Sequence, residues 1–259
     1  MPNVDILALK GRAIPAFAPV NALKQGFRQE VAIETQNPAF NEGMVDVRSK
    51  GIAGDNHYFT PNNPPYFEKV PGAIEELYLR EGVAMRLLDI NAQIKEAGLE
   101  LYLFDGWRPQ AIQRHFHGVW FPNWLRQNRP EIPEENLMEE VERYWSPPSE
   151  GEASPSPHAT GGATDLTLRY IDTKQPLYMG GIFDDLTENA HTDWFERSEP
   201  SSMSDMEAQA NRRLLYWLMD AAGFSNNPTE WWHFSYGDQM WARLKQFPAA
   251  IYGGVSPHI

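Results

Sequence analysis

One segment, SPHATGGATD from Ser156 to Asp165, constrains the fold of this chain more than any other. It sets one imidazole, His158, and one carboxylate, Asp165, seven residues apart among small side chains. An extended run of this length spans more than about 20 Å, so both groups reach one ion only if the chain turns back between them. Gly161 and Gly162 supply the backbone freedom for that turn, and Asp165 is then expected to begin a strand.

A second short motif, EWWH from Glu230 to His233, offers another imidazole and another carboxylate. The chain has no cysteine, so any metal must be held by His, Asp or Glu. Two imidazoles and one carboxylate from these two motifs would leave a tetrahedral zinc its fourth position for water. The sequence therefore predicts one catalytic zinc per chain and a hydrolase. The alternatives are a surface-loop histidine at position 158 and a hydrogen-bonded core histidine at position 233.

Glu230 is the side chain of the second motif that is left for acid–base catalysis. Its position directly before two tryptophans predicts a desolvated carboxylate, which suits a general base or acid. In a regular strand from Glu230 to Tyr236, Glu230 and His233 would point to opposite faces, because they are three residues apart. A bulge or a twisted strand start is therefore expected there.

Arg108 follows an apolar strand in the segment DGWRP, from Asp105 to Pro109. The five N–H donors of its guanidinium suit the developing oxyanion of a tetrahedral intermediate. The plainer interpretation is a salt bridge between Arg108 and Asp105. The two interpretations are compatible, since Asp105 would then orient Arg108.

Composition narrows the classes of function. With 22 basic and 35 acidic residues, the formal net charge is −13, which disfavours nucleic acid and anionic lipid as partners and favours a small neutral or zwitterionic molecule. A hydrophobic fraction of 42% is enough for a core, and no run of about 18 apolar residues predicts a membrane span. Charges and prolines interrupt residues 1–20, so no signal peptide is expected, and the cytoplasm is the expected location with the periplasm left open.

Hydrophobic periodicity predicts an α+β fold, a single compact domain over residues 1–259 with a central antiparallel sheet flanked by helices. Residues 1–40 are expected to form an N-terminal extension and residues 237–259 a C-terminal tail, both packed on this domain. The predicted elements are helices at 73–97, 110–121 and 206–222, a loop at 59–66, and strands at 99–104, 165–170 and 230–236.

Four motifs occur in series along the chain: DGWRP at 105–109, SxHxxGxAxD at 156–165, MGGIFD at 179–184 and EWWH at 230–233. In kind and order they resemble the motifs of the VanX-type D-alanyl-D-alanine dipeptidases, in peptidase family M15 of the zinc-dependent DD-peptidases. The resemblance implies a compact α+β domain of the DD-peptidase/Hedgehog-like type. It also implies hydrolysis of D-Ala-D-Ala or a related small dipeptide.

The same resemblance assigns roles to individual residues. It implies that zinc is bound by His158, Asp165 and His233. It makes Glu230 the catalytic base and acid, and Arg108 the residue that stabilises the transition state. The candidate contacts to the dipeptide are Ser156, Asp184 and Asp105, with Asp184 facing the substrate ammonium.

The chain departs from the family pattern around the expected pocket. Ser49 stands where the family commonly has an aromatic residue near the substrate amine, and the stretch Lys50–Tyr58 is a few residues longer. The segments Pro61–Pro71 and Phe121–Pro148 are expected to add loops. These changes leave the metal motifs intact and predict an altered dipeptide specificity.

Two other functions stay open at the level of sequence. A D,D-carboxypeptidase or endopeptidase acting on peptidoglycan stem peptides would use the same chemistry in an open groove. A non-catalytic zinc-binding domain would recognise a ligand through the same fold, although it would need neither a base at Glu230 nor an oxyanion donor at Arg108.

Overall fold

The computed structural model describes residues 4–17, 26–145, 147–148, 154–197 and 199–257. Parts of the segment considered for a signal peptide, residues 1–3 and 18–20, lie outside these ranges. Within them, no helix combines the length and the apolar character needed to cross a membrane.

The strands are β1 (Ala32–Ile33), β2 (Met44–Asp46), β3 (Ala53–Gly54), β4 (Tyr78–Arg80), β5 (Leu99–Asp105), β6 (Ala163–Tyr170), β7 (Ser225–Asn226), β8 (His233–Ser235) and β9 (Ala249–Ala250). The α-helices are α1 (Ile6–Gly11), α2 (Phe27–Glu30), α3 (Glu81–Ile94), α4 (Gln110–His115), α5 (Phe121–Asn128), α6 (Leu137–Tyr144), α7 (Met203–Ala221) and α8 (Gln239–Lys245).

A five-stranded sheet with the order β3-β5-β6-β8-β7 forms the centre of the molecule. Its pairs are antiparallel except for β3 and β5, which are parallel at one edge. Along β5, buried and half-buried residues alternate, whereas β6 is buried over most of its length, as a central strand should be. The predicted α+β fold with a central, largely antiparallel sheet is confirmed.

The register of this sheet brings the two sequence motifs together. Asp165 in β6 lies directly opposite His233 in β8, and directly opposed residues share one face of a sheet. On the other side, Asp165 is opposite Asp105, after an irregularity in β5 between Leu103 and Asp105. The end of β5 and the starts of β6 and β8 therefore converge on one point.

The turn that the sequence predicts between His158 and Asp165 is present. Pro157–Thr160 forms a 3-10 turn, and Gly161 follows it in the left-handed conformation with φ +70°. A Cβ atom at Gly162 would lie 2.4 Å from the carbonyl oxygen of Tyr236. The turn therefore lies against the chain that leaves β8, an approach that only glycine permits.

Two predicted elements begin later than expected. The predicted helix 73–97 begins only at Glu81, because Tyr78–Arg80 forms a strand against β2. Leu77 and Leu79 are both fully buried, and their spacing of two is that of a strand. The predicted strand 230–236 is reduced to His233–Ser235. The strands at 99–104 and 165–170 and the helix at 206–222 are confirmed to within a few residues, and the helix at 110 continues through a π-helical turn into α5.

The main hydrophobic core is one contiguous cluster. Along the chain, its members run from Val47, directly after β2, to Tyr252, after β9. Residues near the two ends of the chain also meet, since β1 pairs with β9 and the Trp217 indole donates a hydrogen bond to the carbonyl of Arg12. These contacts accord with a single domain, which stays a prediction.

Candidate metal centre

Three buried side chains meet where β5, β6 and β8 converge. His158, Asp165 and His233 each place one ligand atom within 4.8 Å of the others. His158 Nε2 lies 3.1 Å from His233 Nδ1 and 3.3 Å from Asp165 Oδ2, and His233 Nδ1 lies 3.0 Å from Asp165 Oδ1. Zinc bonds of about 2.0–2.1 Å give tetrahedral edges of about 3.3 Å. The spacing of the three groups therefore fits zinc ligands.

Hydrogen bonds fix which nitrogen of each imidazole faces this cluster. His158 Nδ1 lies 2.8 Å from the carbonyl oxygen of Gly106, which can only accept, so Nδ1 carries the proton and Nε2 presents a lone pair. His233 Nε2 lies 3.3 Å from Ser235 Oγ, so Nδ1 is directed to the cluster. Asp165 Oδ1 is buried and accepts no hydrogen bond from the part of the chain that the structure describes. An imidazole lone pair, a second imidazole nitrogen and a buried carboxylate at these distances form a set that can hold a metal ion.

The pKa shifts of the cluster indicate a site that attracts positive charge. Burial raises the pKa of Asp165, but the neighbouring imidazoles of His158 and His233 outweigh burial and hold that pKa far below its usual value. Burial lowers the pKa of His233, yet the Asp165 carboxylate reverses this effect and raises it overall. Asp165 is therefore ionised at neutral pH and attracts positive charge.

Glu230 reaches the edge of the cluster by a different route from the one predicted. It precedes β8 in a turn, in which the His233 N–H donates to the Glu230 carbonyl at 3.1 Å. This turn, and not a bulge, brings Glu230 Oε2 to 3.7 Å from His233 Nδ1. The Glu230 side chain is 25% exposed, so its carboxylate is partly buried and partly accessible.

Arg108 lies beside the metal ligands on the segment between β5 and α4. Its Nε donates to Asp105 Oδ2 at 2.7 Å, and its Nη2 donates to Asp165 Oδ2 and to the Tyr58 hydroxyl, both at 3.1 Å. Asp105 has no exposed surface. The structure therefore places Asp105 behind Arg108, as an orienting group, and not in the position of a substrate contact.

Asp184 lies in the loop after β6, in the left-handed conformation with φ +55°. Its Oδ2 accepts hydrogen bonds from the hydroxyls of Tyr58 and Tyr66 at 2.9 and 2.8 Å. Burial raises the pKa of Asp184 to about 7, although the Arg108 guanidinium acts to lower it. Such a strained backbone conformation, at a cost of about 1–3 kcal/mol, occurs mainly at functional sites.

A buried arginine of α7 holds the loop that carries Asp184. Arg212 donates through Nε to the Met179 carbonyl, through Nη1 to the His191 carbonyl and through Nη2 to the Asn189 carbonyl, each at 2.7 Å. These acceptors lie on both sides of Asp184 in the sequence. The loop is therefore fixed to α7 at its beginning and at its end.

The structure also shows the exposure and the chain position of two further residues from the sequence analysis, Ser156 and Ser49. Ser156 is partly exposed and immediately precedes the turn that carries His158. Ser49 is exposed in the 3-10 turn Val47–Lys50, where its hydroxyl donates to the Asp46 carbonyl at 2.7 Å. The position at which the resemblance led us to expect an aromatic residue therefore carries a small polar side chain on the surface of this protein.

Tyr58 and Tyr66 are the site residues that the sequence analysis missed. Tyr66 belongs to the predicted extra segment Pro61–Pro71, and its ring packs on Phe116 at a centroid distance of 4.7 Å. Both tyrosines are more than a hundred residues from Asp184 in the sequence, so no local spacing could indicate the contact. The one available signal was the longer stretch Lys50–Tyr58 itself.

Comparisons with known proteins give one family for this chain. A peptidase M15 family model, described as D-ala-D-ala dipeptidase, matches residues 42–250. The chain is 36% identical over 176 residues to a D-alanyl-D-alanine dipeptidase of Synechocystis, covering 63% of this chain and 71% of the relative. It is 30% identical over 196 residues to a D-alanyl-D-alanine dipeptidase of Enterococcus faecalis, covering 76% of this chain and 91% of the relative.

Similarity to solved structures is more distant. A VanY D,D-pentapeptidase mutant from a VanB-type resistance cassette, in complex with Zn(II), gives a TM-score of 0.37 with 12% identity, over 85% of this chain and 93% of that chain. VanYB in complex with D-Alanine-D-Alanine gives a TM-score of 0.34 with 14% identity, over 73% and 90% of the two chains. The region matched by the family model, residues 42–250, contains all three candidate metal ligands together with Arg108 and Glu230.

Proposed function

Because the chain belongs to the D-Ala-D-Ala dipeptidase family, peptidase M15, we propose that its substrate is D-Ala-D-Ala or a related small dipeptide, and that Glu230 is the general base. The protein is a zinc metallopeptidase. The observation that carries the proposal is the cluster of His158, Asp165 and His233 with the Glu230 carboxylate at its edge. When bound by the three ligands, zinc supplies a Lewis acid for the peptide carbonyl and a water of lowered pKa.

Glu230 moves the protons of the reaction. Its carboxylate lies beside His233 and is accessible, so it removes a proton from the attacking water and returns it to the leaving amine. The turn Asn227–Glu230, closed by a hydrogen bond from the Glu230 N–H to the Asn227 carbonyl at 3.0 Å, holds the carboxylate at the start of β8. One side chain therefore serves both proton transfers.

Arg108 stabilises the charge that develops on the carbonyl oxygen. Asp105 and Asp165 hold its guanidinium through Nε and Nη2, and within the described residues no hydrogen bond uses Nη1. A guanidinium that is already fixed loses little freedom when it binds an oxyanion. Nη1 is therefore the edge that faces the reacting carbonyl.

Asp184 binds the ammonium group of the dipeptide, and Ser156 is a further contact to the dipeptide. Asp184 is buried and lies on the Tyr58 side of Arg108, connected to it through the Tyr58 hydroxyl. A buried carboxylate is a strong partner for an ammonium group, because the ion pair forms away from water. This arrangement favours substrates with a free amino terminus close to the scissile bond, as in a dipeptide.

Replacing Glu230 with Gln tests the assignment of the base. The change keeps the size of the side chain and removes its basicity, so zinc should stay bound while kcat falls by at least about 100-fold. Zinc content is measured by atomic emission, and turnover by release of D-alanine. The matched control is Glu188→Gln, at a glutamate in the short 3-10 turn Glu188–Ala190. Near-normal turnover in Glu230→Gln would contradict the role.

A substrate panel tests the dipeptide proposal. Zinc-loaded protein is given D-Ala-D-Ala, dipeptides of other chirality and side-chain size, N-acetyl-D-Ala-D-Ala and a stem pentapeptide that ends in D-Ala-D-Ala. We expect cleavage of free D,D-dipeptides and little or none of the N-acetylated and pentapeptide substrates. Preferred cleavage of the pentapeptide would instead show a carboxypeptidase, and cleavage of no peptide would show a binding domain.

A further inference from the structure

We infer that Tyr58 is a positioning residue. Its hydroxyl connects Arg108 to Asp184 and fixes the positions of these two side chains relative to each other. The inference rests on the proposed function, since it takes Arg108 to face the scissile carbonyl and Asp184 to face the substrate ammonium. It concerns a residue outside the four sequence motifs. It also gives a role to the longer stretch Lys50–Tyr58.

The directions of the two hydrogen bonds follow from the chemistry of the partners. A guanidinium can only donate, so the Tyr58 oxygen accepts from Arg108 Nη2 at 3.1 Å. An ionised carboxylate can only accept, so the one proton of the phenol is donated to Asp184 Oδ2 at 2.9 Å. The hydroxyl therefore relays one chain of bonds from a cation to an anion, in which each bond strengthens the other.

The surroundings of Tyr58 hold its hydroxyl in this place. Its ring has no exposed surface and packs on the rings of Phe116, Tyr66 and Phe183 at centroid distances of 5.3, 5.9 and 6.1 Å. The Arg108 guanidinium lies 4.9 Å from the centre of the ring. Burial also raises the pKa of Tyr58 well above its usual value, so the phenol stays protonated and can donate. The hydroxyl can neither ionise at neutral pH nor turn to water.

Comparison with two other tyrosines distinguishes this role from ordinary core packing. The Tyr66 hydroxyl donates to the same Asp184 oxygen at 2.8 Å, but no hydrogen bond joins it to Arg108 in the described chain. The Tyr102 hydroxyl donates to Asp55 Oδ2 at 2.7 Å, on another part of the sheet. Tyr58 contacts both ends of the substrate site, Tyr66 contacts one end, and Tyr102 contacts neither.

Three phenylalanine replacements, Tyr58→Phe, Tyr66→Phe and Tyr102→Phe, therefore form a graded series in which each removes one hydroxyl and keeps the ring. For cleavage of D-Ala-D-Ala by zinc-loaded protein, Tyr58→Phe should lower kcat and raise KM, with a loss in kcat/KM of about 10- to 100-fold. Tyr66→Phe should raise KM and leave kcat unchanged. Tyr102→Phe should change neither constant, and the melting temperature and zinc content of each variant control for folding.

A second measurement needs no turnover. In protein labelled with ¹³C at aspartate carboxyls and ¹⁵N at arginine, the resonances of Asp184 and Arg108 are assigned through Asp184→Asn and Arg108→Lys. Tyr58→Phe should raise the pKa of Asp184, because it removes a donor to the ionised form, and should speed hydrogen exchange at Arg108 Nη2. Tyr66→Phe should affect only Asp184, and Tyr102→Phe should affect neither resonance.

The two measurements distinguish failure of this inference from failure of the proposed function. If the unmodified protein cleaves no dipeptide, the proposed function fails, while the resonances still report whether Tyr58 joins Arg108 to Asp184. If the protein is active but Tyr58→Phe keeps its kcat, or if Tyr58→Phe leaves Arg108 exchange unchanged, the inferred connection is wrong. A kcat loss that is matched by loss of zinc would equally overturn it.

Discussion

Gly162 follows the turn that carries His158, at a backbone contact too close for any side chain. A Cβ there would lie 2.4 Å from the Tyr236 carbonyl oxygen, which is backbone and cannot rotate away. We therefore expect Gly162→Ala to push β8 away from the turn that carries His158, weakening zinc binding and lowering the free energy of unfolding by about 1–3 kcal/mol. Zinc affinity by chelator competition and urea unfolding check both effects.

The control for this change is Gly118→Ala. Gly118 lies in the π-helical turn Phe116–Trp120, and a Cβ there would meet no atom within 4 Å. Its replacement should leave zinc affinity unchanged and should not destabilise the protein. If Gly162→Ala binds zinc as tightly as Gly118→Ala does, the approach of the turn to β8 does not set the metal site.

Asp184 is expected to make the activity depend on pH. Burial raises its pKa to about 7, and only the ionised form can pair with a substrate ammonium. We expect kcat/KM for free dipeptides to fall as the pH decreases through the pKa of Asp184. Asp184→Asn should remove this acidic limb and lower kcat/KM by about 10- to 100-fold at higher pH. The check is a pH profile of kcat/KM for both proteins, and a limb that persists in Asp184→Asn would belong to another group.

At the scale of elements, α7 determines where the Asp184 loop lies. Arg212 is 2% exposed and its guanidinium satisfies three backbone carbonyls of that loop. Arg212→Met would leave the Met179 and Asn189 carbonyls without their donor, while the His191 carbonyl keeps the Trp194 N–H, so we expect a loss of about 3 kcal/mol in unfolding free energy and a raised KM. Chemical denaturation and steady-state kinetics measure the two effects.

The neighbouring Arg213 provides the matched control for Arg212. Arg213 forms a part-buried pair with Glu196 through two hydrogen bonds of 2.6 Å, and its guanidinium donates to no carbonyl of the Asp184 loop within the described residues. Arg213→Met should therefore lower the unfolding free energy less than Arg212→Met does and should leave KM unchanged. Equal unfolding free energies for the two variants would contradict a special role for Arg212.

Local sequence predicted the elements that depend on local signals. The alternation in Leu99–Asp105 and the glycines after His158 are sufficient to predict β5, the turn and the start of β6. The start of α3 was wrong because Leu77 and Leu79 were included in the helical series that continues from Val83, although their spacing of two is that of a strand, and the pairing of β4 with β2 confirms the strand. Periodicity alone cannot supply that partner.

The predicted route of Glu230 to the cluster differs from the observed one for a related reason. Parity along a strand put Glu230 and His233 on opposite faces, so a bulge or a twisted strand start was expected. The structure instead ends the sheet at His233, because the His233 N–H is taken by the Glu230 carbonyl in a turn. The contacts of Asp184 with Tyr58 and Tyr66 were beyond prediction, since they join segments that are distant in sequence.

For the whole molecule, the metal centre connects elements that are far apart along the chain. Its ligands come from the turn before β6, from β6 and from β8, and Arg108 adds the end of β5. A metal that binds only the folded chain stabilises it by RT ln(1 + [L]/Kd), about 4 kcal/mol at a thousandfold excess over Kd. Zinc is therefore expected to be a large part of the stability of this sheet.

The stability that zinc provides should depend on pH, because protons compete for the same ligands. Asp165 raises the pKa of His233, so a fall in pH protonates this imidazole, which weakens zinc binding and also stabilises the metal-free fold. Both effects reduce the difference between the two forms at acidic pH. We expect chelation to lower the melting temperature strongly at about pH 8 and weakly at about pH 5, near or below the ordinary pKa of histidine.

Calorimetry with and without EDTA measures this difference, and two histidine replacements locate its origin. His233→Ala should abolish the response to chelator at both pH values, because one of the three ligands is lost. His117→Ala, at a histidine that lies beside Glu142 on another part of the molecule, should retain the response. A melting temperature that is insensitive to EDTA in the unmodified, zinc-loaded protein would show that the metal does not hold β6 and β8 together.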